Sequence, residues 1–104
     1  CDQTNHVIFK YTKGAAASVI FAGAYATSGN QDGAYSAARF NAPTYICVDN
    51  TGNLWVVDSG NHLIRRIDQN ANVYTVASIP ATLGNTGGIA VDASGNIYCV
   101  DGAN

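Results

Sequence analysis

The sequence predicts an all-β fold built from a repeated unit, and three observations predict it. First, Ile46-Cys47-Val48-Asp49-Asn50-Thr51-Gly52-Asn53-Leu54-Trp55-Val56-Val57-Asp58 returns as Ile89-Ala90-Val91-Asp92-Ala93-Ser94-Gly95-Asn96-Ile97-Tyr98-Cys99-Val100-Asp101. An internal repeat sets the architecture before any single residue is weighed. Second, Val57-Asp58-Ser59-Gly60-Asn61-His62-Leu63-Ile64-Arg65-Arg66 matches Cys1-Asp2-Gln3-Thr4-Asn5-His6-Val7-Ile8-Phe9-Lys10, so Asp2, Asp58 and Asp101 mark one structural position. Third, short runs of Val, Ile, Tyr and Trp are separated by Asp-x-x-Gly-Asn and Asp-x-x-Asn, the chemistry of hairpin connections.

In chain order, Val7 to Tyr11 and Val19 to Ala22 read as the strands of a partial unit over residues 1–22. Aligning the landmarks places an insertion near Gly23 to Tyr35, read as a connection over 23–35. A full unit follows over 36–78. Ile46 to Val48 and Leu54 to Val57 are apolar at successive positions, as is Ile97 to Val100 in a further partial unit over 79–104. A half-exposed strand would alternate instead, so both faces of these sheets expect cover. Between the runs, Asp and Asn bond their own backbone and Gly accepts positive φ, which suits turns. Five of the seven Asp sit at repeat turns, and Asp32 and Asp68 are the two that do not.

Asp32-Gly33, Ala38-Arg39-Phe40-Asn41-x-Pro43, Ile46-x-Val48-Asp49-x-x-Gly52-Asn53-Leu54-Trp55-Val56-Val57-Asp58 and Gly60-Asn61-His62-x-Ile64-Arg65-x-Ile67 together resemble the NHL repeat, whose naming triplet stands here as Asn61-His62-Leu63. The match is dense across 23–78, good across 84–104 and weaker across 2–22, where Phe9 replaces the expected basic residue. The resemblance implies four-stranded blades of a β-propeller, commonly six-bladed. Two blades' worth of repeat cannot close such a ring, and each blade is an apolar slab that needs neighbours.

The expected answer is completion by strand exchange with neighbouring copies. The chain stops at Val100-Asp101-Gly102-Ala103-Asn104, where the full repeat continues with its next strand, and starts with strands in excess. Val7, Ile8, Phe9 and Tyr11 of one copy would pair with Ile97, Cys99 and Val100 of the next by edge addition. Head-to-tail contacts close a trimeric ring or run on as a helical filament. The alternative is a piece of a longer propeller.

Cys1, Cys47 and Cys99 are odd in number and cannot all pair within one chain. Strand exchange would bring Cys1 beside Cys99 of an adjacent copy, an expected intermolecular disulfide that suits an oxidising, extracellular or cell-surface setting. The absence of Met allows loss of a leader segment. Cys1 also resembles the lipid-bearing first residue of bacterial lipoproteins. Cys47 replaces Ala90 in the repeat, so a buried free thiol is expected there.

Composition narrows the function classes. Five Lys and Arg against seven Asp, with no Glu, make a poor footprint for nucleic acid. No run of about 20 apolar residues provides a spanning helix. His6 and His62 recur with the scaffold and read as structural. No close-spaced set of ligands suits zinc, and Asp49 to Asn53 lacks the distal Glu of a calcium loop. Gly84-Asn85-Thr86-Gly87-Gly88 precedes a strand, whereas phosphate loops open onto a helix. No catalytic residue, cofactor or metal is therefore expected. Tyr25 and Tyr35, in the connection, are candidates for a loop that binds a peptide or carbohydrate. A self-assembling structural or interaction scaffold leads. A ligand-binding propeller comes second, and a lyase-type propeller enzyme, for which the matching His cluster is missing, comes third.

Overall fold

The computed structural model describes residues 1–80 and 86–101, excluding the side chains of Thr86 and Asp101. Gly84 and Asn85 of the glycine-rich run, and the terminal Gly102-Ala103-Asn104, lie outside the described residues. Among the described residues, nine strands form three antiparallel sheets. The central sheet has the order β3-β7-β6-β5-β4, from Gly33–Ala34 (β3), Pro43–Val48 (β4), Leu54–Asp58 (β5), Leu63–Ile67 (β6) and Asn72–Ser78 (β7). The hairpin Ile8–Lys10 (β1) with Val19–Ala22 (β2) stands apart, as does Thr86–Val91 (β8) with Ile97–Asp101 (β9).

Register decides which side chains share a face. Leu54 and Val56 project to one side of the central sheet and Trp55 and Val57 to the other, because successive residues of a strand alternate. The first side joins Val56, Ile67, Val73, Ala38 and Phe40 to Ile8 and Ala22 of the β1-β2 hairpin. The second joins Trp55, Val57, Ile64 and Ile79 to Ile89, Val91 and Ile97 of the β8-β9 hairpin. The apolar run of β5 is thus covered on both faces, as predicted, whereas Ile46 and Val48 of β4 stay exposed. Fully burying a side chain such as Val56, Ile67 or Phe40 contributes roughly 1.5–3 kcal/mol.

The connection read as a linker is partly sheet. Gly33 and Ala34 pair with Val73 and Asn72, adding a fifth strand at the outer edge. Gly60 is required at its turn, since a Cβ there would meet Asn41 at 2.5 Å.

Candidate functional site

The hairpin turns are built by one device used three times. Asp49 Oδ1 accepts from the backbone N–H groups of Thr51 and Asn53, both at 2.9 Å, while Trp55 Nε1 donates to Oδ2 at 2.9 Å. Asp92 accepts likewise from Ser94 and Asn96, and the Tyr98 hydroxyl donates at 3.0 Å. Asp68, left unread in the sequence, belongs to the same set: it accepts from Asn70, Asn72 and the Tyr74 hydroxyl. Ala71, at φ 62°, takes the left-handed position that Gly52 and Gly95 hold elsewhere, which hid this third turn. The hydrogen bonds hold all three carboxyls below the usual range, led by Trp55 at Asp49, the Asn72 N–H at Asp68 and the Asn96 amide at Asp92. In each turn the carboxylate's acceptors are met by the turn's own donors. Among the described residues no group of three or more His, Cys, Asp or Glu is placed to hold one.

A buried ion network lies at the far end of β5. Arg65 is fully buried and donates to Asp58 Oδ2 at 2.9 Å, to Asp32 Oδ1 at 2.7 Å and to the Arg39 carbonyl at 2.8 Å. Its guanidinium lies 5.2 Å from the centre of the Phe40 ring. Asp58, also fully buried, accepts from the Asn41 N–H and the Asn61 amide. Burial pushes Asp32 up, but the Arg65 and Thr75 hydrogen bonds outweigh it and leave the carboxyl low. Asn61 also donates to the Gly29 carbonyl at 2.8 Å. The network is therefore a clamp that fastens the 23–35 connection to the blade, and Asp32, known from the sequence only as part of the motif, gains its partners Arg65 and Thr75.

His6 and His62 both occupy left-handed turn positions, at φ 60° and 55°. His6 Nδ1 accepts from the Ala42 N–H at 3.0 Å, so the ring braces the chain where it enters β4. Tyr25 and Tyr35 are both exposed, and the Tyr35 backbone N–H bonds the Ala71 carbonyl. No described cavity gathers the two rings into one binding loop.

The candidate assembly residues divide. Val7 and Ile8 are buried within this chain, Ile8 in the core beneath the central sheet, so their side chains expose little surface. Tyr11 and Val100 are largely exposed, Cys99 is exposed, and Phe9 and Ile97 are half-buried. Beside β1 lies a cleft of about 470 Å³ lined by Ile8, Phe9, Lys10, Phe21, Ile46 and Leu54 together with Gly52 and Gln69. Among the described residues β1 pairs only with β2, which leaves its second edge unpaired. Cys1 is exposed and Cys47 is half-buried rather than enclosed.

Comparison with known proteins places this geometry. Residues 40–67 match the NHL repeat. NHL repeat-containing protein 2 of Gallus gallus is 39% identical over 51 residues, which is 49% of this chain and 7% of that protein. A structural genomics protein of unknown function from Bacteroides thetaiotaomicron VPI-5482 superposes with a TM-score of 0.78 at 26% identity, over 96% of this chain and 28% of that one. An auxiliary nutrient binding protein from the same organism gives 0.72 at 18% identity, over 95% and 31%, a likeness of fold alone. The chain thus spans less than a third of each of these relatives. Residues 40–67 thus carry one NHL repeat, within an all-antiparallel form consistent with a piece of a β-propeller.

Proposed function

We propose that this NHL-repeat chain is a non-enzymatic interaction scaffold whose open blades are filled by strands of further copies, so that copies join head to tail. The observation that carries the reading is the apolar cleft beside the unpaired edge of β1. Strand β9 is the repeat equivalent of β5, and β1 is the equivalent of β6. Within the central sheet β5 pairs β6 from Leu54↔Ile67 to Asp58↔Leu63. Laying β9 of one copy along β1 of another repeats that pairing and sets apolar side chains into the cleft, by strand addition. Tyr45, Ile46, Val48, Tyr98 and Val100 stay exposed on the isolated chain, apolar surface of the kind that marks interaction sites.

Light scattering on a sizing column, paired with negative-stain electron microscopy, tests the proposal. A closed trimer or a filament is expected. A monomer that stays monodisperse at high concentration overturns self-assembly and assigns the covering blades to a longer polypeptide.

A further inference from the structure

Cys47 and Cys99 lie in different sheets, yet the packing turns them toward one another. Cys47 is paired with Trp55 and joins the cluster that meets Ile89, Val91 and Ile97. In the β8-β9 hairpin Ile89 is paired with Cys99 and Val91 with Ile97. Directly paired residues share a face, and so do residues two apart along a strand. Cys99 therefore stands on the side of the hairpin that carries Ile89, Val91 and Ile97, the side that packs against β4 and β5. The two thiols also feel one another's charge. Neither is sealed off, since Cys99 is exposed and Cys47 is half-buried.

We propose that Cys47 and Cys99 form an intrachain disulfide that staples the β8-β9 hairpin to the central blade under oxidising conditions. The hairpin has no hydrogen-bonded sheet neighbour among the described residues, so side-chain packing is what holds it there. A small disulfide such as oxidised glutathione serves as the oxidant. The more exposed Cys99 thiolate attacks one of its sulfurs, forms a mixed disulfide and releases one glutathione thiolate. Cys47 thiolate then attacks the Cys99 sulfur and expels the second. Two electrons and two protons pass from the protein dithiol to two glutathione thiols, which balances the exchange. Burial pushes both thiols up, with Asp49 adding to the effect at Cys47. Thiolates are then scarce near neutral pH, and closure accelerates by about tenfold per pH unit below the thiol range. This inference uses contacts within one chain, so it stands or falls separately from assembly. It competes with the Cys1 to Cys99 link for the same sulfur.

The test is to incubate the folded, reduced chain with oxidised glutathione at mildly alkaline pH, alkylate the remaining thiols and map peptides without reduction. The expected product is a Cys47–Cys99 linked peptide with Cys1 alkylated, running as a monomer in nonreducing electrophoresis. Cys1→Ser should leave the yield unchanged, and Cys47→Ser should abolish the intrachain product. A Cys1–Cys99 peptide as the main product overturns the proposal. So does recovery of Cys47 and Cys99 both alkylated, or both carrying glutathione, in the folded Cys1→Ser chain.

Discussion

The turn at Asp58 and its repeat twin at Asp2 start alike and diverge seven residues on. In both, the Asn three residues after the Asp donates its amide to the carboxylate, at 2.8 Å from Asn61 and 2.9 Å from Asn5. A left-handed His follows in each. Seven positions past Asp58 stands Arg65, which ties the carboxylate to Asp32 and the Arg39 carbonyl. Seven past Asp2 stands Phe9, which carries no charge and lines the cleft. One substitution thus separates a corner locked by ions from a corner bordered by apolar surface. A repeat fixes the turn, while single side chains decide whether the strand beyond it is fastened or available.

Breaking the locked corner should give the largest effect. Asp58→Ala leaves Arg65 buried with a partly exposed partner and strands the Asn41 N–H and the Asn61 amide. Removing one member of a buried pair costs about 3–5 kcal/mol. Denaturant unfolding should show that loss, and a companion Arg65→Leu change should recover part of it by removing the uncompensated cation. Equal stability of Asp58→Ala and the unaltered chain would mean that the clamp contributes nothing to folding.

Much of this contrast was written locally and some of it was not. The turns at Asp49 and Asp92 were legible because donor, acceptor and Gly lie within a few residues, and the apolar runs required cover on both faces. Asp32 stood out with Gly33 as part of the repeat motif, but its role gave no signal, because its partner Arg65 is distant in sequence and only the folding of the connection brings them together. Asp68 stayed hidden behind Ala71, a residue that pays for the left-handed position in place of Gly. The cysteines needed register: the sequence paired Cys99 with Cys1 through a presumed neighbour, while strand pairing shows that Cys99 shares a packed face with Cys47's partners. Val7 and Ile8 read as edge residues, yet the same apolar character that suits an interface buried them in this chain's own core.

Converting the open corner into the locked kind should act on assembly more than on stability. Phe9→Arg places a cation seven residues after Asp2, but solvent screens that carboxylate, so a new pair would add little to stability. A charge beside Ile8, Ile46 and Leu54 in the cleft opposes seating of an apolar strand. Light scattering should therefore show shorter or smaller species with little change in unfolding midpoint. Assemblies of unchanged size would remove the cleft from the interface.

The finest test concerns the Asp2 carboxyl itself. Its value lies below the ordinary range first because of the Asn5 side chain and then because of the Asn5 N–H, which also donates to it at 3.0 Å. A carboxyl depressed in the folded state favours folding above the unfolded value near 4, and the benefit is lost as pH falls through the folded one. Asn5→Ala deletes the leading cause and keeps the N–H, so Asp2 should titrate closer to its ordinary value, which carboxyl-detected magnetic resonance would read directly. An Asp2 value unmoved by Asn5→Ala would mean that backbone geometry alone shapes this turn, and the likeness between the two corners would then end one step earlier, at the asparagine.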